Sequence, residues 1–209
     1  DATSVVDVAS GSAPTAERLR ERVAYCGFDR SLGELAVASR HYPDRLFVQA
    51  DATAIPFATA RADAVICSMA LMLLDPLIDA IREIARVLRP GGRFVAMYPS
   101  LGLPTLREVP TIIALCAALR SAPEFPSFLR KSGVAKTFAD GGLTLTSYVT
   151  RRYTVPIETS VDAERLVTGL YLPSVPAGRI ASAQSALAKR AGPTTSVPMH
   201  ITHITATAD

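Results

Sequence analysis

Short apolar runs that stop at acidic or small residues, separated by stretches of helical composition, constrain this chain more than any other feature. Residues 4–8, 23–28, 46–49 and 64–68 are such runs, and Asp7, Asp29, Asp51 and the pair Ser68-Met69 lie at or beside their ends. Between the early runs lie residues 15–22, entered through Pro14, and residues 32–39, both rich in good helix formers. Runs too short for helices, alternating with helical segments, predict a mostly parallel, doubly wound α/β sheet with helices on both faces. The clearest helix is expected after Asp75. That residue can cap it, Pro76 suits its first turn, and Leu77, Ile81, Ile84 and Leu88 recur at helical spacing. It should end at Arg89-Pro90-Gly91-Gly92, read as a turn and nothing more, before a strand over residues 93–98. Asp63 reads as a solvent-facing acid at a strand entrance.

After Pro99 the rhythm changes. Residues 105–120 and 123–138 read as helices, 143–155 as a strand, 162–171 and 177–190 as helices, and 198–206 as a seventh strand. Leu101, Leu103, Leu106, Phe125 and Phe128 suit a helical lid over an apolar pocket. At 209 residues one core is the default, so the chain reads as a single domain 1–209, with a regular half 1–99 and a variable half 100–209. An apolar strand begins almost at once after Asp1, so a covering segment is expected to be missing upstream.

Composition narrows the partners. A net charge of +3 with scattered Lys and Arg gives no signal for nucleic acid. Cys26, Cys67 and Cys116 are odd in number and far apart, which predicts reduced core thiols rather than disulfides or a metal site. No apolar run approaches the roughly 18 residues of a membrane span, and no leader is visible. A cytoplasmic protein with a small-molecule substrate is expected, with room for a homodimer.

In a doubly wound sheet the ligand crevice lies at the carboxyl ends of the strands, where strand order switches. A turn of small residues, Ala9-Ser10-Gly11-Ser12-Ala13, follows the first run, and small side chains let backbone approach a ligand closely. An acid about twenty residues on, Asp29, suits ribose hydroxyls. A nicotinamide-binding fingerprint wants three glycines there, and this turn has Gly11 alone.

Taken in order, the segments 5–13, 49–57, 62–68 and 84–93, with Asp29 between the first two, resemble the class I S-adenosylmethionine-dependent methyltransferases. The likeness is to their small-molecule branch, which includes the ubiquinone and menaquinone biosynthesis enzymes. It implies a Rossmann-like seven-stranded fold and S-adenosylmethionine as cofactor. It also implies that Asp7, Ala9, Ser10, Gly11, Ser12 and Ala13 hold the methionyl part, Asp29 and Arg30 the ribose side, and Asp51 and Ala52 the adenine edge. Ser68 and Met69 would lie beside the sulfonium, with Met72 and Tyr98 facing substrate. Ala9 and Ala13 stand where the family usually has glycine. Asp7 reads as an acceptor organising the turn rather than as a catalyst.

The resemblance implies methyl transfer to an O, N or C nucleophile of a largely apolar metabolite. RNA methylation, or a silent or repurposed cofactor-binding domain, are the alternatives. No base is evident: His41 falls in a loop away from the crevice, and His200 and His203 occupy opposite faces of the last strand.

Overall fold

The computed structural model describes residues 2–20, 22–100, 102–120 and 131–209. Seven strands form one sheet: β1 (Ser4–Val8), β2 (Ala24–Asp29), β3 (Leu46–Gln49), β4 (Ala62–Ser68), β5 (Leu88–Ser100), β6 (Leu143–Pro156) and β7 (Ser196–Ala208), in the order β3-β2-β1-β4-β5-β7-β6. The first five pair in parallel. Hydrogen bonds from Thr144 to Asp209 and from Thr146 to the Thr205 carbonyl set the start of β6 beside the end of β7, so that pair is antiparallel. The Rossmann-like, mostly parallel sheet expected from the sequence is therefore present. Among the described residues six α-helices accompany it: α1 (Leu32–His41), α2 (Leu77–Val87), α3 (Val109–Leu119), α4 (Lys131–Asp140), α5 (Ser160–Thr168) and α6 (Ala177–Ala188).

The chain divides into two compact units. One comprises Asp1–Tyr98, Pro126–Val149 and Thr202–Asp209; the other comprises Pro99–Phe125 and Thr150–Ile201. The first unit buries β1 almost completely, and the Phe94 and Phe138 rings meet with centroids 5.6 Å apart. The second is built on Leu115, Leu119, Ile157, Leu166 and Leu187.

Several local expectations need correction. Of residues 15–22, the described ones form only a single 3-10 turn, Ala16–Arg18. The backbone there closes successive short turns instead, with the amides of Ala16, Arg18, Leu19 and Val23 bonded to the carbonyls of Ala13, Thr15, Ala16 and Arg20. Asp75 does not cap α2, because Pro76 occupies the cap position and no side chain bonds there. The segment Arg89-Pro90-Gly91-Gly92 is not a free turn, since β5 begins at Leu88 and the β4/β5 register shifts to absorb the extra residues. Arg89 also binds Asp63, at 2.6 Å. Asp63 in turn accepts hydrogen bonds from the backbone of Thr3 and Ser4 and from the Thr3 hydroxyl, so it anchors the start of β1 rather than facing solvent. These bonds hold its carboxyl down at a pKa of about 2.

The expected helix over 105–120 is shorter, and that over 123–138 is described only from Lys131 onward, residues 121–130 lying outside the described residues. His41 ends α1 instead of lying in a loop, and Cys116 is exposed while Cys26 and Cys67 are buried. Of the apolar residues expected to form a lid, Leu103 and Leu106 are 88% and 92% exposed, and Leu101, Phe125 and Phe128 fall outside the described residues. No helix among the described residues is long and apolar enough to cross a membrane.

Candidate functional site

β1 sits between β2 and β4, so the chain leaves it on one side and returns on the other, and the crevice opens at this switch in strand order. A cavity of about 470 Å³ lies there, within the usual range for small-molecule sites.

The turn after β1 is built from left-handed backbone. Ala9, Gly11 and Ala13 have φ of 55°, 52° and 60°, a region that favours glycine because a Cβ crowds the following carbonyl. Only Gly11 meets that preference. The Ala13 methyl is fully buried, packed with Val5, Ala16, Val23, Tyr25 and Ala38, and so points into the core rather than into the cavity. The turn is tied to its neighbours: the Ser10 amide donates to the Phe28 carbonyl at 3.0 Å, and the Gly11 amide to the Asp29 carboxylate at 2.8 Å.

Asp29 ends β2 and also accepts from the Ser31 amide at 2.8 Å. Each of its oxygens thus takes one backbone bond and keeps capacity for a further donor. Asp51, past the end of β3, accepts from the Thr53 amide and hydroxyl through one oxygen, and its other oxygen lies 3.5 Å from the Arg30 guanidinium. The Thr53 bonds, helped by Arg30, hold its carboxyl below the ordinary value. Met69, just past β4, is a third side-chain-bearing residue with left-handed backbone near the crevice, at φ 59°, and its amide donates to Met97 at 2.7 Å.

Ten of the residues expected to hold cofactor line the cavity: Ala9, Ser10, Gly11, Ser12, Asp29, Arg30, Asp51, Ala52, Ser68 and Met69. Asp7 and Ala13 do not line it. Asp7 is fully buried below the turn and accepts hydrogen bonds from the Thr15 hydroxyl and, at 2.8 Å, from the Tyr25 hydroxyl. Burial pushes its pKa up to about 6 against these bonds. Met72 and Tyr98 are also outside the cavity wall. Both are buried, and the Tyr98 hydroxyl donates to that of Tyr148 at 3.1 Å.

Sequence reasoning missed other wall residues, among them Glu34, Thr53, Leu73, Leu74 and Asp75. Glu34 lies in the first turn of α1, whose N-terminus faces the crevice, so its place was legible once that helix was located. Asp75 was read as a cap, and that reading hid it.

The donors and acceptors present suit an adenosyl ligand. Two carboxylates at neighbouring strand tips offer acceptors for sugar hydroxyls and an exocyclic amine, beside a turn that exposes backbone.

Comparison with known proteins agrees with this geometry. Residues 6–96 match the type-11 family described as a methyltransferase domain. The demethylmenaquinone methyltransferase of Beutenbergia cavernae is 39% identical over 94 residues, covering 44% of this chain and 38% of that protein. The chain thus spans well under two thirds of that relative's length. Among solved structures, the YcgJ protein from Bacillus subtilis superposes with a TM-score of 0.65 at 20% identity, over 99% of this chain and 92% of that one. The phosphoethanolamine N-methyltransferase 2 of Haemonchus contortus, solved with S-adenosylhomocysteine, gives 0.61 at 15% identity, over 99% and 48%. The fold is therefore the Rossmann-like one that these methyltransferase structures share. Over residues 6–96 the chain is similar to methyltransferase domains of the type-11 family, among them those of menaquinone biosynthesis.

Proposed function

We propose that this domain transfers a methyl group from S-adenosylmethionine to an O, N or C nucleophile of a small, largely apolar metabolite, of the quinone-precursor kind for which its relatives are named. The observation that carries this reading is the coincidence of the cavity with the family match: ten residues expected to hold the donor line one pocket at the switch point.

The bound donor supplies an electrophilic methyl on a sulfonium. Asp29 accepts hydrogen bonds from ribose hydroxyls, Asp51 from the adenine amine, and the backbone of the 9–12 turn approaches the methionyl end. Alignment of the nucleophile supplies much of the rate, because a sulfonium methyl needs little further activation. Where the nucleophile must shed a proton, Glu34 and Asp75 are the cavity carboxylates with no hydrogen-bonding partner among the described residues, and are the groups placed to take it.

Calorimetry with S-adenosylmethionine and S-adenosylhomocysteine tests the donor assignment. Single-site binding of both is expected, weakened at least tenfold by Asp29→Ala. Failure of the full-length protein to bind either one rules the reading out. Affinity for RNA that falls steeply with salt would move the acceptor from a metabolite to nucleic acid.

A further inference from the structure

Beneath the donor turn lies a buried polar cluster that the proposed chemistry leaves unused. Asp7, at the end of β1, is fully buried, and one carboxylate oxygen accepts from two hydroxyls on separate pieces of chain. Thr15 opens the segment leaving the turn, and Tyr25 stands on β2. The other oxygen, Oδ1, has no partner among the described residues. The Asp7–Thr15 bond therefore closes the mouth of a seven-residue excursion, residues 8–14, while Asp29 grips the same loop at Gly11. Within the excursion Ala9 and Ala13 hold a backbone that alanine does not favour, so something outside it must hold the shape.

We propose that Asp7, Thr15 and Tyr25 form a clasp whose ionised state holds the 9–14 turn in the shape that receives the adenosyl donor, making Thr15 and Tyr25 positioning residues for that donor. The inference rests on the methyl-donor reading for its ligand, and on the turn's own geometry for its mechanism. Hydrogen bonds to a carboxylate are shorter and stronger than those to a neutral carboxyl. Asp7 stands on the central strand β1 and stays buried when the turn loosens, so the loosened turn loses the two bonds that favour the carboxylate but keeps the burial that opposes it. A proton arriving at the unpartnered Oδ1 therefore loosens the mouth of the turn. The groups acting on Asp7 are Thr15 from the loop, Tyr25 from β2, Cys67 from β4 and Asp29 at the tip of β2. Asp29 is a like charge that opposes ionisation, and burial opposes it more, so the switch falls near pH 6. By linkage, a ligand that prefers the ionised clasp lowers the Asp7 pKa and releases protons on binding.

Two measurements test this on the intact protein. In the ligand-free state, carbon-13 NMR follows the Asp7 carboxyl while hydrogen exchange follows the Ala13 and Ala16 amides, which bond to the Ser10 and Ala13 carbonyls. Protection, corrected for intrinsic exchange, should fall several-fold as Asp7 takes up its proton. In Thr15→Val, which keeps the shape without the donor, the Asp7 titration should move to higher pH. Thr15→Ser should restore it, and Tyr25→Phe should behave like the valine variant. With S-adenosylhomocysteine, affinity should drop at least fivefold between pH 7.5 and 5, with proton release visible as a dependence of binding heat on buffer. Thr15→Val should weaken binding at pH 7.5, and Thr15→Ser should recover it. Turn protection and affinity that stay flat while Asp7 titrates would overturn the clasp, as would a Thr15→Val protein that binds like wild type. A turn that follows Asp7 in a protein that binds no S-adenosylhomocysteine at any pH would overturn the donor assignment, and the positioning role with it, while leaving the proton-sensitive turn intact.

Discussion

A methyl group in left-handed backbone costs roughly 1–2 kcal/mol, and the donor turn carries two of them, at Ala9 and Ala13. Glycine relieves that strain but returns about 0.4–1 kcal/mol of freedom to the unfolded chain. Ala9→Gly is therefore expected to raise stability by up to about 1 kcal/mol, read from urea midpoints. Ala13→Gly also surrenders a fully buried methyl, worth about 0.8 kcal/mol, and should change little. Equal gains at the two positions would mean the buried methyl contributes nothing.

Asp7 gives a second test at the same scale. Burial raises its pKa from 3.8 to about 6, so the folded protein holds this proton more tightly than the unfolded chain does. The stability this confers is complete below about pH 3.8 and is lost as pH rises through about 6, an effect on the order of 3 kcal/mol at most. Stability relative to Asp7→Asn should therefore rise between pH 7.5 and 5; a constant difference across that range would refute the assignment. The sequence marked Asp7 as an organiser of the turn, but its partner Tyr25 sits 18 positions away, and nothing local announces the pairing.

At the scale of elements, the connection between β3 and β4 has no regular structure of its own and borrows rigidity from α2. Arg86 donates to the carbonyls of Ile55 and Phe57, to the Thr59 hydroxyl and to Glu83, while Glu83 accepts from the Ile55 amide. This pair is only partly exposed, and it holds the segment that follows Asp51. Arg86→Ala is expected to cost about 1–3 kcal/mol and to speed exchange at the Ile55 and Phe57 amides; unchanged exchange there would show that the loop keeps its shape unaided. Strands were more legible than helices. The run 46–49 matches β3 residue for residue, because short apolar runs with sharp ends are local signals. The segment 15–22 has the composition of a helix, yet its described residues close only short turns, because composition does not fix which carbonyl each amide meets. Asp75 followed the cap rule in sequence, yet it lines the cavity instead.

At the scale of the whole molecule, each compact unit has its own core. Leu187, fully buried in the second unit, packs among Leu115, Leu119, Ile157 and Leu166. Leu187→Ala should cost about 2–5 kcal/mol. Exchange should rise in α3, α5 and α6 while the amides of β1 and β2 stay protected; equal loss everywhere would show a single cooperative body. The amino-acid sequence by itself determined the succession of strands and helices and which residues stand at the strand tips, because hydrophobic period and terminating residues act over a few neighbours. Only the tertiary structure decided that Ala9, Ala13 and Met69 take left-handed backbone, that Asp63 anchors Thr3 from 60 positions away, and that burial lifts the Asp7 pKa to about 6. Those properties come from burial and from hydrogen bonds between distant segments, and they exist only once the sheet has brought its strands together.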